Sequence, residues 1–300
     1  MLSFSQKVKT ELCRAPVQKL CCARAECYGV LLYGNTFSTR EVRIITENPD
    51  FAVRLPRLFQ RAFNVQFDVL PEEKNGKMTF QITTPEKMQR IINTLGYDVR
   101  QMPVLHVNFG LVEEECDRVA FLRGTFLAGG SVTDPEKRYH LELDTVHAQA
   151  SREVSALLEE MGFSPRAVLR GGSSVTYFKQ SEHIEDFLTT IGAPVAAMDI
   201  MTAKVDKEIK NRANRAMNCD MANVNKTLDA AESQMETIEK LRREGKLDTL
   251  PNQIKETALL RMANPELSLC QLAEKHDPPI TKSCLNHRLR KIMEIGRTLK

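Results

Sequence analysis

No stretch of the 300-residue sequence approaches the ~20 consecutive apolar residues that a membrane-spanning helix needs. The first twelve residues also lack the apolar core of a secretory signal, because Lys7, Lys9 and Glu11 lie among them. Hydrophobic residues make up 42% of the chain, an ordinary share for proteins that bury a core, and the length suits about two domains. We therefore expect a globular, soluble, cytoplasmic protein with no membrane partner.

The cysteines form no CxxC pair. Most of them lie among residues with helical periodicity, so we expect reduced thiols. A zinc site built from Cys13, Cys21, Cys22 and Cys27 is the alternative, although this spacing matches no common ligand pattern. The prediction is no metal and no cofactor.

Excess charge of one sign is also small, with a net charge of +3. Its placement is more informative, because nucleic-acid binding depends on clustered charge. Residues 281–300 contain six lysines and arginines but only one acid, Glu294.

The chain contains an internal repeat, and such a repeat indicates a duplicated architecture. The sequences CYGVLLYGN (27–35) and LRGTFLAGG (122–130) pair Gly29 with Gly124 and Gly34 with Gly129. The spacing of apolar residues predicts the later helices and strands of each copy. In the first copy they are a strand at 39–46, a helix at 51–63, strands at 66–70 and 78–83, and a helix at 85–95. In the second they are a strand at 139–145, a helix at 148–161, strands at 167–169 and 174–179, and a helix at 181–191.

This order predicts two similar α+β halves packed face to face, with copies at about 20–97 and 115–193 inside a domain of residues 1–200. Glycine costs a helix about 1 kcal/mol relative to alanine, so the paired glycines favour close approach of two helix backbones. The alternative is that these glycines merely end their helices.

The two glycine-containing helices and the α+β repeat resemble the LAGLIDADG homing endonuclease fold, a pseudo-twofold saddle that lies along DNA. The resemblance implies a metal-binding acid at the eighth motif position, where this chain has Gly34 and Gly129. Cleavage assisted by Mg²⁺ needs carboxylate ligands, so we predict no catalytic residues and no nuclease activity. Glu26, Asp134 and Asp144 are the nearby acids that an enzyme would have to use instead.

Basic residues in the strand regions offer secondary DNA contacts to phosphates, the alternative being a solvated sheet edge. They are Arg40, Arg43, Lys137 and Arg138.

Few helix breakers occur between 197 and 244, so a helical linker is predicted for residues 201–250. An apolar stripe along it predicts a packed face, formed by Val224, Leu228, Ala231, Met235 and Ile238. An amide-rich stripe is either an ordinary polar face or a contact for a partner, and consists of Lys207, Asn211, Asn214, Asn218 and Asn225.

Residues 251–300 predict an all-α helix-turn-helix domain with helices at 252–263, 268–276 and 281–295. Pro265, Pro278 and Pro279 separate the helices, and Thr281 is a plausible N-cap. The predicted core is Ile254, Ala258, Leu259, Leu269, Leu272, Ala273, Leu285, Leu289 and Ile292.

The face of the last helix opposite Leu285, Leu289 and Ile292 carries side chains suited to DNA. Asn can contact adenine and Arg can contact guanine in bidentate fashion, while lysines hold phosphates. A merely solvated basic helix is the alternative. The predicted DNA-binding residues are Thr281, Lys282, Ser283, Asn286, His287, Arg288, Arg290 and Lys291.

Four segments together resemble the WhiA family over the entire chain: CCARAECYGVLLYGNTFS, FLRGTFLAGGSVTDPEKRYHLEL, NRANRAMNCDMANVNKT and DPPITKSCLNHRLRK. The resemblance implies a degenerate LAGLIDADG-like domain joined to a helix-turn-helix. It also implies a nucleoid-associated regulator of transcription that binds double-stranded DNA in cell division, chromosome segregation and, in sporulating relatives, sporulation. The alternatives are a scaffold that binds a division or segregation protein through the saddle, and a residual Mg²⁺-dependent endonuclease.

Overall fold

In the computed structural model, described here for residues 2–17, 19–72, 76–97 and 105–298, one helix, α1 (Phe4–Leu12), precedes the first copy. Its residues Val8 and Leu12 are buried in the core that the two copies share. The first copy contains α2 (Leu20–Tyr33), β1 (Thr36–Phe37), β2 (Val42–Thr46), α3 (Pro49–Phe63), β3 (Met78–Ile82) and α4 (Pro85–Thr94). Its strands form an antiparallel sheet in the order β1-β2-β3.

The second copy follows a short 3-10 turn, Phe109–Leu111, and repeats the order from α2 onward with one additional strand, β6 (Arg166–Arg170). It contains α5 (Glu115–Gly129), β4 (Gly130–Val132), β5 (Leu141–Thr145), α6 (Ala148–Glu160), β6 (Arg166–Arg170), β7 (Ser173–Phe178) and α7 (Ser181–Ile191). Its antiparallel sheet has the order β4-β5-β7-β6. The duplicated α+β architecture predicted from the sequence is therefore confirmed.

The strand predicted at 66–70 is wrong, because within the described residues only one bridge, Val69 with Gln81, forms there. Asp68 explains the difference. Its carboxylate accepts hydrogen bonds from the backbone amides of Thr83 and Thr84 at 2.7 and 2.8 Å, so this segment turns toward the start of α4. A side chain that bonds nearby amides competes with strand pairing.

Helices α2 and α5, one from each copy, pack together in the core that the two copies share, and close approach of their backbones is confirmed at Gly29 and Gly124. A Cβ added to Gly29 would lie 2.2 Å from the carbonyl oxygen of Phe121, and one added to Gly124 would lie 2.0 Å from that of Glu26. No side chain fits at such distances. Gly34, by contrast, follows the last residue of α2 and does end its helix.

The remaining elements are α8 (Pro194–Arg243), a 3-10 turn (Leu247–Thr249), α9 (Asn252–Ala263), α10 (Leu269–Glu274) and α11 (Lys282–Arg297). The chain divides into two compact units, one ending at Lys207 and the other beginning at Glu208. The predicted division at residues 200 and 250 stays a prediction.

The second unit has its own core, to which both α8 and the terminal helices contribute. Ile238 and Leu241 of α8 are buried with Leu272, Leu285 and Leu289. The predicted apolar stripe of α8 is therefore only partly correct, because Val224 and Leu228 are more than half exposed. Leu259 was also assigned to the core wrongly. It is 48% exposed, since the buried side of α9 passes through Thr257, Ala258 and Arg261.

Candidate nucleic-acid interface

Helix α11 is the predicted DNA-reading helix, and its start is defined by Thr281. The Thr281 hydroxyl accepts a hydrogen bond from the backbone amide of Cys284 at 3.2 Å, which satisfies one free amide of the first turn. Leu285, Leu289 and Ile292 are fully buried and fix which side of the helix faces the core. The opposite side therefore faces solvent.

The structure places most of the predicted DNA-binding residues on that exposed side. Arg288 is half-buried instead, and its guanidinium donates to the carbonyl of Gln253 at 3.4 Å. Thr281 uses its hydroxyl as the helix cap. The exposed members whose side chains make none of these contacts are Lys282, Ser283, Asn286, His287, Arg290 and Lys291.

Two features hold the helices before α11 in place. Ser268 and Gln271 form a reciprocal capping box at the start of α10. Arg261 is 1% exposed, and its guanidinium donates to the side chain of Gln234 and to the carbonyl of Leu267 at 3.0 and 2.7 Å. These contacts tie α8, α9 and the segment before α10 together.

The predicted secondary contacts in the first unit lie on equivalent hairpins of the two copies. Arg40 is in the loop between β1 and β2, while Lys137 and Arg138 are in the loop between β4 and β5. All three are exposed. Arg43 is on β2 itself and donates to the hydroxyl of Thr36 at 3.2 Å.

Basic residues on the sheet of the second copy were missed by the sequence analysis. All five residues of edge strand β6 are exposed, including Arg166 and Arg170. Arg170 binds both carboxylate oxygens of Glu142, at 3.1 and 2.8 Å, and this contact holds the pKa of Glu142 below its ordinary value. Lys179 lies 5.3 Å from the centre of the Tyr177 ring. The sequence RAVLR of β6, with an arginine at each end, was the pattern that could have indicated these basic residues.

The two motif glycines lie where a side chain has no room. A Cβ on Gly129 would be 2.3 Å from the backbone oxygen of Asp144 and 3.1 Å from the ring of Tyr33. A Cβ on Gly34 would be 2.8 Å from the carbonyl of Val30. An acid at either position would therefore require the backbone to shift.

Of the alternative acids, Glu26 is committed to a structural role. It is fully buried, and both of its oxygens accept hydrogen bonds from Arg54, at 2.6 and 2.8 Å. Arg123 adds a contact at 3.4 Å. Asp134 is exposed in the loop before β5 and accepts from the backbone amide of Glu136 at 3.0 Å.

The cysteine set weighed in the sequence analysis is not the set that the fold brings together. All eight cysteines lie within the described residues and are free. Cys27 is buried in the core, and burial raises the pKa of its thiol. Cys21 and Cys22 instead lie beside Cys116 and Asp117.

Comparison with known proteins places the chain among relatives. A family model for the WhiA C-terminal HTH domain matches residues 213–296, and one for the WhiA LAGLIDADG-like domain matches residues 118–210. A protein of Ruminiclostridium cellulolyticum named "Probable cell division protein WhiA" is 35% identical, with 100% of this chain and 98% of that protein covered. The chain belongs to the WhiA family.

Solved structures of the WhiA family show the same fold. Full-length WhiA from Thermotoga maritima matches with a TM-score of 0.60 at 22% identity, covering 100% of this chain and 99% of that chain. The separate N-terminal LAGLIDADG domain of WhiA matches with a TM-score of 0.51 at 20% identity, covering 64% of this chain and 94% of that chain. The predicted combination of a LAGLIDADG-like repeat and a helix-turn-helix is thereby confirmed. Among the described residues, no helix is long and apolar enough to cross a membrane.

Proposed function

We propose that this protein binds specific double-stranded DNA sequences through α11 and regulates transcription in cell division and chromosome segregation, without cutting DNA. The exposed side of α11 carries the proposal. It presents Asn286 and Arg290, which can read bases, beside Lys282 and Lys291, which can hold phosphates. The name of the relative from Ruminiclostridium cellulolyticum supports the link to cell division.

The proposed absence of nuclease activity has steric support. Metal-assisted cleavage needs carboxylates beside the scissile phosphate. The positions equivalent to the motif acids are Gly34 and Gly129, and the backbone around them leaves no space for a larger residue. Glu26 is unsuited to replace them because Arg54 already binds both of its oxygens.

The first test is selection from a random duplex library with the full chain, in Mg²⁺ and at about 150 mM salt. We expect one enriched sequence and uncut DNA. Enrichment of no sequence would contradict the assignment of α11 as a reader. Nicked duplex would contradict the claim that the protein is not a nuclease.

The residue roles are tested on the selected sequence. Asn286→Ala or Arg290→Ala should lower discrimination between the selected and altered sequences by roughly 1–3 kcal/mol, because each loses a base contact. Lys291→Ala should weaken binding to every duplex alike and reduce the salt dependence. Arg243→Ala, which removes an exposed charge from α8, is the control. Equal selectivity in all three α11 variants would contradict the assignment.

These variants are preferable to a truncated chain. Ile238, Leu241 and Leu247 pack against the terminal helices, so removal of residues 251–300 would expose this core. A loss of DNA binding would then be difficult to interpret.

A second role, binding of a division or segregation protein by the first unit, is favoured by edge strand β6. Val168 and Leu169 are 47% and 77% exposed there, and an exposed edge strand can pair with another chain. Val168→Lys with Leu169→Lys should abolish binding of such a protein while DNA selection is unchanged. Retained binding in that variant would exclude β6 as the contact.

A further inference from the structure

Three cysteines and an aspartate, far apart in sequence, meet at the N-terminal ends of the two central helices. Cys21 and Cys22 lie in the first turn of α2, and Cys116 and Asp117 lie in the first turn of α5. Their sulfur and carboxylate ligand atoms all lie within 4.8 Å of one another. These four residues are called the thiol cluster below.

The thiol cluster is a product of the internal repeat. The offset that pairs Gly29 with Gly124 also pairs Cys21 with Cys116 and Cys22 with Asp117. Because α2 and α5 approach closely at their glycines, equivalent first turns are brought together. Each copy therefore contributes two ligands from the same two positions.

The spacing of the thiol cluster suits a tetrahedral ion. The sulfur atoms of Cys21 and Cys22 are 4.0 Å apart, and the sulfur of Cys116 is 3.7 Å from a carboxylate oxygen of Asp117. A tetrahedral zinc site with Zn–S bonds of about 2.3 Å has sulfur atoms roughly 3.8 Å apart. Disulfide sulfurs, in contrast, are bonded at about 2.05 Å.

We propose that the thiol cluster binds one Zn²⁺ ion, which joins the two copies at the starts of their central helices. Three thiolates and one carboxylate form a set of four ligands of the types that zinc takes in proteins, and the sulfur ligands select it over Mg²⁺ or Ca²⁺. Solvent reaches the set through Cys21, which is exposed, whereas Asp117 is buried.

A positive side chain lies beside the thiol cluster. A bound cation stabilises the thiolate form of the cysteines that coordinate it. The ammonium of Lys19, 3.8 Å from the sulfur of Cys116, offsets part of the resulting negative charge.

This site is distinct from the metal position of the homing endonucleases. The motif acids of that fold correspond to Gly34 and Gly129, at the C-terminal ends of the same helices. Thirteen residues of α-helix separate the two ends, which is roughly 20 Å. The 95-residue offset that pairs the glycines was the available sequence signal for the thiol cluster, but the zinc alternative weighed from the sequence joined only cysteines within residues 13–27.

The test is metal titration of the full chain after treatment with a chelator and a thiol reductant. Co²⁺, which reports thiolate ligands by its charge-transfer absorption, should bind at one equivalent and be displaced by Zn²⁺. Zinc should also raise the melting temperature, since the assembled cluster of the folded state binds it more tightly than the unfolded chain does. Cys22→Ser and Cys116→Ser should each weaken zinc at least tenfold and remove the cobalt band, while Cys219→Ser, an exposed cysteine on α8, should match the parent.

Folding of the variants is checked by their melting temperature in chelator, which should equal that of the parent chain. Absence of cobalt absorption in the parent, or an unchanged affinity in both Cys22→Ser and Cys116→Ser, would overturn the proposal. The protein mass, measured under the same reducing conditions, is a further check. If it is lower than expected by the two hydrogen atoms that a pair of thiols loses on oxidation, two of these cysteines form a disulfide and the proposal is overturned. If Asp117→Asn retains the cobalt band at weaker affinity, the carboxylate ligand is supported.

Discussion

The carboxylate of Asp68 joins the segment 66–70, which forms no strand, to the start of α4 through hydrogen bonds. Besides the amides of Thr83 and Thr84, the hydroxyl of Thr84 donates to it at 2.9 Å and the ammonium of Lys87 contacts it. Burial acts to raise the pKa of Asp68, but these hydrogen bonds outweigh it and hold the pKa well below the ordinary value.

The effect of Asp68 should depend on pH. A carboxylate with a depressed folded-state pKa stabilises the protein above the unfolded value of about 3.9 and loses this contribution as pH falls toward the folded value. Asp68→Asn should therefore lower the free energy of unfolding by about 1–3 kcal/mol at pH 7 and by less at pH 3. Urea unfolding at both pH values measures this, with the exposed Asp229→Asn as the control. An equal loss at both values would contradict it.

Glu26 shows that an acid near a motif helix need not be a metal ligand. It was one of the nearby acids that an enzyme would have had to use in place of the motif acids. In the structure it is a buried anion that Arg54 and Arg123 neutralise, and such a charge needs its partners because desolvation is costly. It therefore connects α2 to α3 and α5.

Contact between α2 and α5 depends on residues without a side chain. The Cβ positions of Gly29 and Gly124 are occupied by backbone atoms of the opposite helix, and backbone cannot move aside as a flexible side chain can. Because the two helices come from different copies, this contact joins the halves of the repeat.

Gly29→Ala should therefore destabilise the protein by at least about 2–3 kcal/mol, since the added methyl group must separate the helices. Gly162→Ala is the matched control. That glycine has a φ of +88° but nothing within 4 Å of its Cβ position, so alanine should cost only about 1–2 kcal/mol of backbone strain. Urea unfolding of both variants makes the comparison. If Gly29→Ala lowers the free energy of unfolding no more than Gly162→Ala does, the two helices can move apart at little cost and the prediction is wrong.

The two compact units provide two sets of basic residues on one chain. We infer that both contact one duplex, because tethered modules raise each other's effective concentration. In that case the exposed pair Lys137 and Arg138 adds affinity without sequence preference.

Lys137→Ala with Arg138→Ala should weaken binding of the full chain to a long duplex and reduce the slope of log affinity against log salt by about 2. Binding to a short duplex that contains only the selected sequence should not change. Fluorescence anisotropy over a salt series measures both, and Arg243→Ala is the control. If the double variant binds the long duplex with unchanged affinity and slope, the first unit does not contact DNA through this loop.

Local pattern was sufficient for much of this protein. Helices α7 and α9 match their predicted bounds, and the 95-residue offset between Gly29 and Gly124 revealed the duplicated architecture. The predicted solvent-facing side of α11 also agrees with its buried leucines. These features were predictable because helical period can be read from neighbouring residues and a repeat from comparison of the chain with itself. The DNA-binding roles assigned to that side of α11 remain predictions.

Packing between distant segments decided the rest. The contacts of Glu26 with Arg54 and the hydrogen bonds of Asp68 with Thr83 and Thr84 join residues whose separation in sequence carries no periodic signal. The same reason explains why the apolar stripe of α8 is buried at Ile238 yet exposed at Val224, since the terminal helices cover only part of it. Sequence period defines a face of a helix, whereas the elements that pack against this face determine which of its residues are buried.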